Sequence, residues 1–124
     1  MKKTVPFEIF GPNQYLMFDI GRLAELEQAL GHSIIDVAVK QDIGVNFCLT
    51  ALPIAMKQHY RPDRNLFANK IEEFIENGGS ISDITVPLVK AIAATGIFGK
   101  IEAADDETDK SEPPKRKNGK KETE

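Results

Sequence analysis

The sequence predicts an α+β domain, mostly α, in which an N-terminal β-hairpin packs on about four to five helices. Three observations carry this. Apolar residues alternate with a period of two only in the first twenty positions, then recur at spacings of three and four to about Ile101. Residues able to cap or break helices punctuate that later stretch at intervals of ten to fifteen. From residue 102 the apolar positions stop, apart from Ala103 and Ala104, and charge takes over. The expected organisation is a domain over 1–101 and a disordered charged tail over 102–124, because such a segment buries too little apolar surface to offset its ordering entropy.

In the hairpin Val5, Phe7 and Ile9 form one arm, and Leu16, Phe18 and Ile20 the other. Gly11-Pro12-Asn13-Gln14 supplies the turn, since Pro fixes φ while Gly and Asn tolerate unusual values. Asp19 caps a first helix carrying Leu23, Leu26 and Leu30, with Glu25, Glu27 and Gln28 opposite, and Gly31 ends it. Ser33 caps a short second element containing Ile34, Ile35, Val37 and Val39. Helix is preferred there, although β-branched residues also allow a strand. Asp42 is expected to cap a third helix through Phe47, Leu49, Leu52, Ile54 and Met56 to about Tyr60, kinked or split by Pro53.

Arg61-Pro62-Asp63 breaks the chain, and a fourth helix follows from about Arg64 to Asn77. Leu66, Phe67, Ile71, Phe74 and Ile75 share its apolar face, with Lys70, Glu72, Glu73 and Glu76 away from it, and Asn77-Gly78-Gly79 stops it. Ser80 or Ser82 caps the fifth, whose stripe is Ile84, Leu88, Val89 and Ile92. Its regular part is expected to begin near Pro87, and Gly96 and Gly99 close it.

The totals exclude several functions. A formal charge of −3 disfavours nucleic acid as a partner, since phosphate binding needs an excess of Lys and Arg. The basic run Lys115-Arg116-Lys117 to Lys121 adjoins the acidic Asp105, Asp106, Glu107 and Asp109 and reads as solubilising. No apolar run approaches the roughly 18 residues of a membrane span. Met1-Lys2-Lys3-Thr4 opens like a signal peptide, but Glu8, Pro12 and Asn13 interrupt it, so a cytoplasmic protein is expected. A single Cys48 allows no internal disulfide and suits a packing role. His32 and His59 lack ligand-spaced neighbours, His59 being expected at the surface at the end of the third helix, Ser33, Ser80 and Ser82 are accounted for as caps, and no glycine cluster matches a phosphate loop. The expectation is therefore no metal, no cofactor and no enzyme. What remains is protein binding, with Phe47, Leu52, Met56, Tyr60 and Phe67 around Pro53 and Pro62 as candidates for an exposed apolar groove.

The stretch Tyr15-Leu16-Met17-Phe18-Asp19-Ile20-Gly21-Arg22-Leu23-Ala24-Glu25-Leu26-Glu27-Gln28-Ala29-Leu30-Gly31 resembles the opening of tail assembly chaperones of long-tailed bacteriophages and gene-transfer-agent-like elements. The order of the later elements and the polar tail are also similar, so the resemblance covers roughly 4–101. It implies a non-enzymatic chaperone that coats the aggregation-prone tape measure protein in the host cytoplasm, recruits tail tube protein, and is absent from the mature virion. A homo-oligomer is compatible with it. The family also implies a programmed frameshift, for which Gly99-Lys100 or Gly119-Lys120-Lys121 are candidate sites. No fixed binding motif carries site residues across. The alternative is a small structural or completion protein of a phage tail or head.

Overall fold

The computed structural model describes residues 4–99, in which a two-stranded antiparallel hairpin leads into five helices. The expected tail over 102–124 lies outside the described residues. Strand β1 is Thr4–Pro6 and β2 is Tyr15–Met17, with Val5 opposite Leu16. The period of two holds across the ladder and just beyond: Phe7, Leu16 and Phe18 are buried while Tyr15 and Met17 are half-buried. Asn13 takes positive φ in the turn (62°), and its amide donates to the Glu8 carboxylate at 3.1 Å. Ile20 departs from the expectation. It opens the first helix and is 66% exposed, because the Asp19 cap ends the extended chain one residue earlier.

Helix α1, Ile20–Leu30, starts where Asp19 Oδ1 accepts the Arg22 amide at 2.8 Å. It ends at Gly31 (φ 79°), a left-handed position that disfavours a Cβ. Helix α2, Ile34–Lys40, settles the second element as helical. Ser33 Oγ accepts the Asp36 amide, and Glu27 reaches from α1 to accept the Ile34 amide at 2.8 Å. Two orphan donors of the first turn are thus satisfied, which offsets the weak helix preference of Ile34, Ile35, Val37 and Val39.

Helix α3, Val45–Ala55, is the centre of the molecule and packs on α1, α4, α5 and β2. Its residues from Ala51 to Ala55 are buried without a break, as expected of a helix covered on several sides. Two corrections apply. Gly44, not Asp42, precedes its first turn, and no side chain caps it. The helix passes through Pro53 but stops at Ala55 rather than running to Tyr60, and turns over Met56–Tyr60 follow. Proline withdraws the amide that Leu49 would have received, so the last turn is already weakened.

Those turns hold the hairpin. The Tyr15 amide donates to His59 Nε2 at 3.1 Å, and Gln58 Nε2 donates to the Tyr15 carbonyl at 2.8 Å. Arg22 Nη1 donates to the Met17 carbonyl at 3.1 Å and to Gln58 Oε1 at 2.8 Å. The outer edge of β2 is therefore satisfied by side chains in place of a third strand. His59, expected at the surface, is half-buried for this reason.

Helix α4, Arg64–Glu76, is capped by Asp63, whose Oδ1 accepts the Asn65 and Leu66 amides. Beyond its end the Phe74 ring lies over Gly79. A Cβ on Gly79 would sit 2.3 Å from that ring, closer than atoms can approach. Gly79→Ala is expected to displace Phe74 and cost about 1–3 kcal/mol, as overpacking does. An unchanged urea midpoint would show that the ring moves aside freely. Helix α5, Ser82–Ala93, begins five residues before Pro87, earlier than expected, and has Ile81 at the cap position with no side-chain cap. Asp83 Oδ2 instead accepts the Ser80 amide at 3.1 Å. Ile84, Leu88, Ala91 and Ile92 are buried, and α5 packs on α3 and both strands. Val89, placed on the stripe by sequence, lies at its border and is 36% exposed.

Candidate functional site

The chemically reactive side chains are dispersed. Among the described residues no three His, Cys, Asp or Glu side chains gather as a metal site would require. His32 is exposed and faces Asp36 at 3.7 Å, while His59 accepts the Tyr15 amide. Ser33 Oγ is engaged as a cap, and the Ser80 and Ser82 hydroxyls bond each other at 2.9 Å. Cys48 is fully buried on α3, and burial pushes its thiol up from 9.0 to about 11. A thiol held protonated in apolar surroundings is a poor nucleophile.

The residues read from sequence as a docking groove sit elsewhere. Phe47, Leu52, Met56 and Phe67 are 3% exposed or less and belong to the core. Tyr60 is half-buried, packs edge-on against Phe67, and shares hydrogen bonds with Gln14. The groove expected around Pro53 and Pro62 is filled by the domain's own packing, so it is not an accessible surface of the folded chain. Large side chains near prolines identify apolar material but not which side of it is covered. The central position of α3 covers it.

A different apolar surface is open. Val45 and Leu49, one turn apart on α3, face Ala68, Ile71 and Ile75 on α4 across an open groove of about 400 Å³. Val45 is 57% exposed and Ile75 is 44% exposed. Glu72 and Glu76 complete the lining on the α4 side. At the start of α4, Arg64 crosses to α3 and donates to Asn46 Oδ1 at 2.8 Å, fixing the two helices together. Val45 also borders a second depression with Val37 and Phe47, and those two border a third with Val89, Ile92 and Phe98. The three share lining residues, but His32, Asp42 and Asn46 make the middle depression largely polar, so the open apolar surface is the α3–α4 groove itself.

The sequence carried a signal for this surface. At 3.6 residues per turn, Leu66, Phe67, Ile71, Phe74 and Ile75 spread over roughly half the circumference of α4. One packing face needs less than that. Phe67 and Ile71 fall near the middle of the arc and are buried, whereas Leu66 and Ile75 lie at its margins and are more exposed. An apolar arc wider than one neighbour can cover marks a second contact face. Comparison of the chain with protein-family models, with curated proteins and with solved structures gives no match.

Proposed function

We propose that this chain is a non-enzymatic phage tail assembly chaperone that binds the tape measure protein, keeps it soluble during tail assembly, and docks it on the α3–α4 groove. The observation that carries the reading is the groove itself: apolar side chains left open on a domain whose core is already complete. Isolated exposed apolar residues need no explanation, but an open apolar groove rimmed by polar residues is typical of a protein-binding surface. The hairpin followed by helices also agrees with the order of elements that the resemblance implies. In this reading the protein acts in the host cytoplasm, also contacts tail tube protein, and has no place in the finished particle.

The test is co-expression of the full chain with the tape measure protein of the same element. The client is expected to become soluble and to co-purify. Val45→Glu and Ile75→Glu place charge on exposed positions, so the domain should stay folded by circular dichroism while the client is lost. A client that stays insoluble beside a folded wild-type chain would reject the reading. Recovery of the chain from purified particles would favour the alternative, a structural or completion protein of the tail or head.

A further inference from the structure

We infer that the α3–α4 groove is built for one chemical class of occupant, an amphipathic α-helix with cationic side chains beside its apolar stripe. This deepens the client-docking reading and rests on it for the location of the surface.

Three features of the groove lead there. First, its apolar positions follow helical spacing on both walls: Val45 and Leu49 on α3, then Ala68, Ile71 and Ile75 on α4. From Ala68 to Ile75 the wall rises about 10 Å, roughly two turns. Anchors at i, i+4 and i+7 of a partner helix span the same length, and ridges of such anchors fit the groove between two helices.

Second, both walls are helices whose backbone groups, apart from the uncapped first turn of α3, are bonded internally, so the groove offers no ladder of free amides and carbonyls. An extended segment laid there would bury its own amides against Val45, Leu49 and Ile75 without partners. A helix brings its backbone hydrogen bonds with it and avoids that cost.

Third, the charge is one-sided. Glu72 and Glu76 lie one turn apart on α4 and both line the groove. The ion pairs among the described residues involve Asp36 and Glu25, and none involves Glu72 or Glu76. Like charges at i and i+4 repel. Lysine or arginine on a docked helix would relieve that repulsion while its apolar stripe covers Ile75 and Val45. An acidic helix would add to it.

The experiment uses the full chain and two synthetic peptides of about 20 residues, long enough to hold helix in water. Both carry leucine at the same helical spacing, one with lysines flanking the stripe and one with glutamates. By fluorescence anisotropy at low salt the lysine peptide is expected to bind about tenfold more tightly than the glutamate peptide, as two or three solvent-exposed ion pairs would give. The preference should shrink with added salt. The double variant Glu72→Lys, Glu76→Lys should reverse it, and Ile75→Glu should abolish binding of both peptides.

Equal affinity for the two peptides, or a preference unmoved by the double variant, would overturn the inference. So would self-association of the chain through this groove that neither peptide can compete away. The two readings fail separately. If the peptides discriminate as expected and the tape measure protein stays insoluble, the chemistry of the groove stands and the chaperone assignment falls. If the client is solubilised equally well by wild type and by the charge-reversed variant, the chaperone assignment stands and this inference falls.

Discussion

Replacing Phe67 with alanine is expected to cost the domain about 3–5 kcal/mol, the usual range for deleting a buried aromatic ring. Phe67 is fully buried at the middle of the α4 core face. Its ring meets Tyr60 edge-on at 5.6 Å and Phe10 at 6.1 Å, and Phe10 in turn meets Phe7 at 5.4 Å. One ring thus joins α4, the turns after α3 and the chain that follows β1. Removing it leaves a cavity between three segments that cannot all close over it. Folded domains have only about 5–15 kcal/mol in total, so a large part of the stability goes with this one side chain. Urea denaturation of the two proteins gives the difference directly, and a loss under about 1 kcal/mol would mean that the cluster repacks. Ile75→Ala, at an exposed position, should stay within about 1 kcal/mol. Charged substitutions at Phe47, Met56 or Phe67 would therefore report unfolding and could not report docking.

Alkaline pH should reveal Cys48. Its thiol is raised from 9.0 to about 11 by burial. Below pH 9 the thiol is protonated in both the folded and unfolded states and makes no difference to stability. Between pH 9 and 11 the unfolded chain releases the proton while the folded one keeps it, so stability falls as pH rises. Above about pH 11 both states are ionised and the loss levels off at about 3 kcal/mol, the free-energy equivalent of two pK units. Tyrosines and lysines titrate in the same range, and comparison with Cys48→Ala removes their common contribution. The expected result is a steeper alkaline loss in wild type than in Cys48→Ala. Parallel curves would place the thiol in contact with water. The same shift makes the native thiolate about a hundredfold scarcer at pH 8, so labelling should require unfolding.

Most of the fold was legible because local signals and tertiary packing agree. Asp19 and Ser33 cap helices as read, Gly31 closes α1, and the apolar face of α4 contains all its buried residues and that of α5 all but Ala91. The departures share a physical cause. The spacing places Glu27 on a solvated face, yet its carboxylate caps α2. It places His59 at the surface, yet the ring holds a strand edge. Ile75 and Val89 fall on the apolar stripes by sequence, yet they lie at the margins of those stripes. Each is decided by a neighbour far along the chain or by how much of an arc that neighbour covers, and periodicity records neither. The candidate docking residues fell to the same limit. The sequence identified the apolar side chains of α3 and α4 but could not order them by depth.

The clamp on β2 has a consequence for how the chain acquires its structure. Tyr15 finds its partners at Gln58 and His59, 43 and 44 residues further on, and Gln14 meets Tyr60 across 46. A two-stranded hairpin in water is marginal by itself. The hairpin must therefore wait for the turns after α3 before its outer edge can be closed, which gives it a late place in folding. Such long-range closure carries a loop entropy that local helices do not. During synthesis the hairpin thus leaves the ribosome well before the residues that close its outer edge.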